Sequence, residues 1–287
     1  MNKRKILITG GNSPVTIDIL KKINVKKDDI IVSTKKGIKK KNKFNKFKYI
    51  KLDLKNKIRL KEKNFDYLIH IASATPYKKY SLRDYDKINV KGFKNLLATI
   101  ENLKRVVLIS TTDVLELTSK NGLKKLKKDK KFIYSKSKLM MENILKVHAL
   151  KNEIRCLVLR CPAIMCKTPN DINFIQKIIH NFSKKNITLY NPLTKFNNII
   201  DTTTIFNLIN YFLNKKNFHK YFYSFSIAPT DNISLENFFN LLNKQKKLKI
   251  DFNYENNERK ITKPIMVSKK ILGNFNMPNI KKIIKRI

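Results

Sequence analysis

Short apolar runs alternate with longer helical patterns over the first 160 residues of the chain. The runs are typical of buried strands, and they lie at 5–9, 29–33, 47–52, 66–71, 105–110 and 156–160. Apolar residues at helical spacing occupy 15–23, 84–101 and 134–150. Strands that alternate with helices predict parallel βαβ units, and hence an α/β fold with a doubly wound parallel sheet. Ligands of such sheets bind at the carboxyl ends of the strands.

Beyond residue 166 the pattern becomes less regular. The segments 171–184 and 203–213 have helical spacing, 221–228 is typical of an extended segment, and Ser234 is suited to cap a helix that ends near residue 245. We therefore expect two domains. Residues 1–166 would hold the sheet and bind a dinucleotide, and residues 167–287 would form a smaller C-terminal lobe, interleaved with the first domain, that binds the substrate.

A glycine turn follows the first predicted strand. Gly10 and Gly11 precede a helix that begins near Pro14, and this order places backbone N–H groups and a helix N-terminus around a pyrophosphate. Ser13 and Thr16 occupy the places of the second and third glycines of the usual motif. We expect the serine to be tolerated and the threonine to displace the helix slightly from the strand.

The end of the second predicted strand bears on the choice of cofactor. In a dinucleotide fold this strand end meets the adenosine ribose, where an acidic residue selects the free 2'-hydroxyl of NAD. The sequence has Thr34, Lys35 and Lys36 there, which favours NADP over NAD. The alternative, that both lysines are solvated members of a lysine-rich loop, stays open.

Tyr134 and Lys138 are four residues apart in a predicted helix, so their side chains leave the same face about one turn apart. A nearby ammonium favours the phenolate of a tyrosine and makes it useful as a general acid or base. In a lysine-rich chain this spacing also arises by chance. The spacing indicates a catalytic pair more strongly because the helix follows a strand that ends in Ser110 and Thr111.

The charge of the chain suggests a second class of function. The sequence has 63 Lys and Arg against 21 Asp and Glu, a formal net charge of +42. Such a charge favours nucleic acid or anionic membranes, but the lysines are spread over every segment, which a coding bias also explains. We expect no specific nucleic-acid partner, although a polyanion-binding protein stays a rival hypothesis.

The sequence predicts no membrane span and no signal peptide, and we expect a soluble, cytoplasmic protein. The four histidines are scattered, and the three cysteines have no partner pattern typical of zinc ligands. We therefore expect buried thiols and no metal site.

The ordered motifs resemble those of the extended short-chain dehydrogenase/reductases, the NAD-dependent epimerase/dehydratase group that includes nucleotide-sugar 4-epimerases, 4-ketoreductases and 4,6-dehydratases. The resemblance covers almost the whole chain and rests on order and spacing. Its motifs are Thr9-Gly10, Asp53-Leu54, Asp66-x-x-x-His70-x-Ala72, Asn89-Val90-x-Gly92, Ser110-Thr111, Tyr134-x-x-x-Lys138, Arg160-x-Pro162, Asn198-Ile199-Ile200-Asp201 and Ser226-Ile227-Ala228.

The resemblance implies a Rossmann-type domain and a set of residues that hold NAD or NADP. Within this set the turn after the first strand would hold the pyrophosphate, and Asp53 and Leu54 would contact the adenine. Pro162 would lie near the nicotinamide. Beside Thr34 and Lys35, the set comprises Gly10, Asn12, Ser13, Pro14, Val15, Asp53, Leu54, Ala72, Ser73, Asn89, Tyr134, Lys138 and Pro162.

The resemblance also implies catalytic roles. Tyr134 would be the acid/base, and Lys138 would bond the nicotinamide ribose and polarise Tyr134. Thr111, with Ser110 behind it, would bond the reacting oxygen of the substrate. Hydride transfer to a carbonyl leaves negative charge on oxygen, which needs a proton donor and a second hydrogen bond.

Departures from the family pattern narrow the expected reaction. The residues after Thr111 are Thr112 and Asp113, not the Asp-Glu pair with which family dehydratases eliminate water, and Ala163 replaces an asparagine common in 4-epimerases. We expect an oxidoreductase or epimerase that acts on a nucleotide sugar, with 4-keto reduction placed ahead of C4 epimerisation. A non-catalytic dinucleotide sensor is the alternative. The family also implies a homodimer.

Overall fold

The computed structural model describes residues 3–37, 44–78, 80–118, 130–168, 175–176, 186–247, 250–256 and 264–287. The chain forms two compact units. The first comprises Met1–Arg160 and Phe212–Phe225, and the second comprises Cys161–Tyr211 and Ser226–Ile287. The chain thus leaves the first unit after the sixth strand and later returns to it. The assignment of cofactor and substrate binding to separate domains, divided at residue 166, stays a prediction.

A seven-stranded sheet organises the first unit and confirms the predicted doubly wound topology. Its strand order is β11-β6-β5-β4-β1-β2-β3. The pairs β1/β2, β2/β3, β1/β4 and β4/β5 are parallel. The strands are β1 (Arg4–Thr9), β2 (Asp28–Thr34), β3 (Lys48–Lys51), β4 (Tyr67–His70), β5 (Arg105–Thr111), β6 (Arg155–Cys161) and β11 (Phe222–Ser226).

The strand order reverses at β1, which has β2 on one side and β4 on the other. In the register of β1 with β4, Thr9 lies opposite His70, so the carboxyl ends of both strands meet at the same edge. The centre of β1 is fully covered, with Leu7 and Ile8 at 0% exposure. Burial on both faces is what a parallel sheet between helical layers requires.

The helices of the first unit are α1 (Pro14–Lys22), α2 (Leu82–Asp84), α3 (Gly92–Thr99), α4 (Val114–Thr118) and α5 (Lys130–Lys151). The single helix predicted over 84–101 is divided, because a π-helical segment (Tyr85–Lys91) joins α2 to α3. The amide of Gly92 donates to the carbonyl of Lys87, five residues back. A Cβ on Gly92 would overlap the carbonyl oxygen of Leu54, so this helix approaches the loop after β3 as closely as a glycine allows.

The second unit contains small two-stranded sheets and helices. Its strands are β7 (Ala163–Met165), β8 (Asn186–Tyr190), β9 (Lys195–Phe196), β10 (Ile199–Asp201), β12 (Ile233–Ser234), β13 (Asp251–Glu255), β14 (Lys270–Ile271) and β15 (Phe275–Asn276). Helix α6 (Thr202–Asn214) begins in this unit, and α7 (Leu235–Lys246) and α8 (Ile280–Arg286) belong to it.

Three predictions for the C-terminal half can be compared with these elements. The helix predicted over 203–213 is α6. Ser234 caps α7 as predicted, since its hydroxyl accepts from the amide of Asn237 at 3.2 Å. The extended segment predicted over 221–228 is β11, which lies at the edge of the seven-stranded sheet. The placement of this segment in the C-terminal lobe was therefore wrong. The helix predicted over 171–184 lies outside the described residues apart from 175 and 176.

None of the helices in the described ranges is long and apolar enough to cross a membrane.

Candidate active site

The turn after β1 has no room for side chains at its two glycines. Gly10 adopts a φ of +84°, and a Cβ there would lie 3.0 Å from the amide nitrogen of Ala72. A Cβ on Gly11 would lie 2.6 Å from the Cγ1 of Val32. Both amides donate to the carbonyl of Ser33, at 3.1 and 2.9 Å, which fixes the turn against the end of β2. The turn therefore presents bare backbone, as a cradle for a pyrophosphate does.

Helix α1 begins directly after this turn. Ser13 is its N-cap and Pro14 its first residue, and the Ser13 hydroxyl makes no capping hydrogen bond. The side chain at the cap thus leaves the first-turn N–H groups available to an anion, where the helix dipole also favours negative charge. Thr16, at the place of the third glycine, is fully buried, and its hydroxyl has no hydrogen-bond partner among the described residues. The predicted displacement of the helix stays a prediction.

The ends of β2 and β3 bring the residues predicted for the adenosine together. Thr34 is buried and accepts at its carbonyl from the amide of Leu52 at 2.8 Å. Lys35 places its ammonium 3.7 Å from the carboxylate of Asp53. Asp53 also accepts from the amide of Lys55 at 3.0 Å. Lys35 and Asp53 therefore share one surface, and a phosphate near Lys35 would compete with this carboxylate.

A buried network joins the end of β1 to the loop after β4. The hydroxyl of Thr9 accepts from the amides of Ile71 and Ala72, at 3.1 and 3.2 Å. Its own hydrogen is then free to donate to Nδ1 of His70, 3.0 Å away. Burial, and secondarily the charge of Lys138, lower the pKa of His70 to about 3. His70 is therefore neutral at physiological pH and serves as a hydrogen-bond acceptor.

Asn89, in the π-helical segment, connects three parts of the site. Its Oδ1 accepts from the amide of Ala74 at 2.7 Å and from the Ser73 hydroxyl at 3.1 Å. Its Nδ2 donates to the carbonyl of Ala74 at 3.1 Å and to the hydroxyl of Ser137 at 2.9 Å. Ser137 in turn donates to the carbonyl of Tyr134. Asn89 therefore ties the loop after β4 to the Tyr134 turn of α5.

Tyr134 and Lys138 lie on α5, as predicted. The Tyr134 ring is half-buried and meets the ring of Tyr85 edge to face, with the centroids 6.3 Å apart. Lys138 is only 2% exposed, and its Nζ donates to the carbonyl of Ile109 at 2.7 Å. This bond fixes the face of α5 that carries Tyr134 and Lys138 against the carboxyl end of β5.

Thr111, the last residue of β5, belongs to a second contact with α5. Its hydroxyl donates to the Asp113 carboxylate at 3.2 Å and accepts from the Asp113 amide at 3.2 Å. Asp113 is ion-paired at 3.2 Å with Lys131, which lies one turn before Tyr134. Burial lowers the pKa of Lys131, but the attraction of Asp113 and Glu116 together leaves it raised. Sequence analysis had treated Asp113 only as a departure from the dehydratase pattern.

Ser110, which precedes Thr111 on β5, contacts an acidic residue of α5. Ser110 donates to the carboxylate of Glu142 at 2.5 Å, a partner that sequence analysis missed. Glu142 is the only acidic residue in α5, and a single carboxylate in a basic helix is the feature of the sequence that could have indicated this partner.

Pro162 follows β6 directly and belongs to the second unit, so its predicted place near the nicotinamide stays a prediction.

The cysteines and histidines form no metal site within the described ranges, where no group of three His, Cys, Asp or Glu side chains is placed to hold an ion. The three thiols are buried and form no disulfide. Burial raises the pKa of Cys156 to about 12, so this thiol stays protonated and inert.

Comparisons with known proteins agree with this architecture. The model of the "NAD dependent epimerase/dehydratase family" matches residues 6–219. A search of curated proteins finds no match.

Solved structures share the fold over almost the entire chain. UDP-N-acetylglucosamine 4-epimerase from Bacillus cereus has 19% identity and a TM-score of 0.72, over 99% of this chain and 98% of that one. The UDP-N-acetylglucosamine 4-epimerase from Methanobrevibacter ruminantium, in complex with UDP-N-acetylmuramic acid, has 17% identity and a TM-score of 0.72 over 99% and 97%. RMD from Pseudomonas aeruginosa, complexed with NADPH, has 15% identity and a TM-score of 0.70 over 99% and 97%.

Proposed function

Because the chain belongs to the NAD dependent epimerase/dehydratase family, we propose that it is an epimerase that inverts a secondary alcohol of a nucleotide-linked sugar. Its acid/base is Tyr134, and it uses a nicotinamide dinucleotide held in the first unit. When bound, this cofactor supplies the acceptor and then the donor of the hydride.

The observation that carries the proposal is the hydrogen bond from Lys138 to the carbonyl of Ile109. It holds the Tyr134 face of α5 at the carboxyl end of β5, two residues from Thr111. A proton-transfer group and a hydroxyl donor thus share the end of the sheet at which ligands of this fold bind. In this proposal Lys138 also contacts the cofactor ribose, and its positive charge favours the phenolate of Tyr134.

Each side chain has a defined task in the reaction. Tyr134 as phenolate accepts the proton of the sugar hydroxyl while the hydride leaves the same carbon, which gives a ketone. Lys138 stabilises that phenolate by its positive charge. Thr111 turns its hydroxyl from Asp113 to the ketone oxygen, which gains negative charge when the hydride returns to the opposite face. Tyr134 then returns its proton.

The residues of the first unit fit a dinucleotide. A side chain at Gly10 or Gly11 would collide with Ala72 or Val32, so the turn presents backbone alone, and the cap of α1 leaves N–H groups for phosphate oxygens. Asn12, Val15 and Ala72 are proposed to line the same surface. Thr34 has a buried hydroxyl without a partner among the described residues, which the adenosine ribose would supply.

Reduction of a 4-keto sugar is the second candidate. It is favoured by Thr34, Lys35 and Lys36 at the end of β2, since basic residues there suit the 2'-phosphate of NADP, the cofactor that a reductase releases. Dehydration is disfavoured by Thr112, which stands where family dehydratases have the aspartate. We place epimerisation first because the family match supports an epimerase or a dehydratase, and this reverses the order expected from the sequence.

A homodimer is proposed through the outer face of α5. Met140, Val147 and Leu150 are 41%, 66% and 56% exposed on this helix. Apolar side chains at this density on a surface helix are typical of an interface. Light scattering of the wild type and of Val147→Glu tests it, and a monomeric wild type would contradict it.

The deciding experiment is a thermal-shift panel with NADH, NADPH and UDP-, GDP- and dTDP-sugars. A dinucleotide at a hundred times its dissociation constant should stabilise the protein by about 2.7 kcal/mol. Turnover is then followed by NMR with sugar deuterated at the reacting carbon. Epimerisation keeps the label in the product without net loss of cofactor, whereas reduction consumes NADPH stoichiometrically. If neither dinucleotide binds, the proposal is wrong.

A further inference from the structure

Ser110, Glu142 and Arg160 form a network that the proposed reaction does not use directly, in which Ser110 and Glu142 are buried and Arg160 is partly exposed. The Ser110 hydroxyl donates to Oε1 of Glu142 at 2.5 Å. Arg160 binds Oε2 of the same carboxylate with Nη2 at 2.6 Å and Nε at 3.0 Å. Ser110 and Glu142 are 4% and 3% exposed. One carboxylate on α5 thus joins the ends of β5 and β6.

Stability alone does not account for this arrangement. A buried ion pair loses its hydration, and a well-packed apolar pair of similar size often stabilises a core equally well or better. What an apolar pair lacks is direction. Hydrogen bonds with short, defined geometry specify one position of the helix against the strand, whereas apolar contacts permit it to slide.

The two hydrogen bonds between β5 and α5 fix the position of the helix against the strand. Ile109 and Ser110 are consecutive on β5, and they bind Lys138 and Glu142, which are four residues apart on α5. Ile109 accepts from the helix, and Ser110 donates to it. A single bond would leave the helix free to pivot about that point. Two bonds, one turn apart, fix both its position along the strand and its rotation.

We propose that Ser110, Glu142 and Arg160 are positioning residues, a latch that sets the distance between Tyr134 on α5 and Thr111 on β5. Tyr134 lies one turn before Lys138 on the helix, and Thr111 directly follows Ser110 on the strand. Each reactive residue is therefore a close neighbour of a residue that the two hydrogen bonds hold in place. In this arrangement the hydrogen of Ser110 is committed to Glu142, and Thr111 is the donor to the reacting oxygen. This role rests on the function proposed above.

A double-mutant cycle tests the latch. Ser110→Ala and Glu142→Leu should each lower kcat about 10- to 100-fold, because misplacement by about 1 Å costs up to about 10²-fold, while the Kd of the dinucleotide changes less than about twofold. If Ser110 acts through Glu142, the double variant should be no slower than Glu142→Leu. Ser110→Thr keeps the hydroxyl and should restore most of kcat. Losses that multiply in the double variant would show that Ser110 contacts the substrate directly and would overturn the proposal.

A second measurement needs neither cofactor nor substrate. Hydrogen exchange of the ligand-free protein should accelerate at least about 10-fold for Ser110→Ala at the amides of 109–111, and stay unchanged at the β1/β2 pairs. Exchange that rises uniformly, or not at all, would overturn the latch. Glu255→Gln, at an exposed glutamate of β13, is the matched control and should behave as the wild type in both experiments. A wild type that binds neither NADH nor NADPH would instead refute the proposed function, while the exchange result still decides the latch.

Discussion

The side-chain ammonium of Lys138 donates a 2.7 Å hydrogen bond to the main-chain carbonyl of Ile109 in the interior of the first unit. A lysine that is 2% exposed is unusual, and the other lysines that the structure describes are not buried. The bond satisfies the strand carbonyl and holds the ammonium at the carboxyl end of β5.

Replacement of Lys138 by methionine tests this arrangement. Lys138→Met keeps the chain length, leaves the Ile109 carbonyl unpaired and should destabilise the protein by about 1–3 kcal/mol. Turnover should fall at least about 10²-fold, because the phenolate of Tyr134 loses its cation. Urea denaturation and steady-state rates measure both effects. Lys136→Met, at an exposed position of the same helix, is the control; an equal loss of turnover there would contradict the assignment.

Removal of one hydroxyl tests the acid/base. Tyr134→Phe should retain the thermal shift with the dinucleotide and lose turnover by about 10²- to 10⁴-fold, since only the proton carrier is missing. Tyr221→Phe, at a half-exposed tyrosine before β11, should leave both unchanged. Unchanged turnover in Tyr134→Phe would remove this residue from the mechanism.

The glycine turn can be tested with two alanine substitutions that share the same backbone strain. Gly10 and Gly37 have φ values of +84° and +87°, but only Gly10 has a neighbour within 4 Å of the added Cβ. Each substitution should destabilise the protein by about 1 kcal/mol through backbone strain, and Gly10→Ala should lose more because its Cβ also meets the backbone of Ala72. Only Gly10→Ala should also weaken dinucleotide binding, by at least about tenfold, in a calorimetric titration. Equal affinities of the two variants would show that the turn does not hold the cofactor.

The lowered pKa of His70 should make the folded protein less stable as the pH falls. Its folded pKa, about 3, lies below the value of about 6.5 expected in the unfolded chain, so the unfolded state takes up the proton first. The stabilisation is fully present above pH 6.5 and is lost as the pH falls towards 3. Between pH 6.5 and 5 the loss from this group should be about 2 kcal/mol.

The variant His70→Asn isolates that contribution. Asparagine can still accept from Thr9, and it does not titrate, so the unfolding free energy of the variant should fall about 2 kcal/mol less than that of the wild type over the same interval. Denaturation at pH 6.5, 6 and 5 measures the difference. His219→Asn, at an exposed histidine, is the control. Parallel curves for His70→Asn and the wild type would show that His70 titrates normally in the folded protein.

Much of the first unit followed from local pattern. All six predicted strands of the first 160 residues are present within two residues of the expected bounds, and α1 and α5 begin and end close to prediction. The division of the 84–101 helix was not predicted, because apolar spacing does not distinguish an α-helical from a π-helical turn. Gly92 was the one local sign of the close approach to Leu54.

By itself, the sequence determined which segments are strands and helices, that Tyr134 and Lys138 share a helix face, and that the turn at Gly10 is bare backbone. These properties depend on residues within about two turns of one another, so a linear pattern contains them. Only the tertiary structure decided that Ser110 binds Glu142, that Thr9 binds His70, and that β11 completes the first sheet. Those partners are 32 or more residues apart, and they meet because the parallel strands bring their carboxyl ends to a common edge and lay α5 across it.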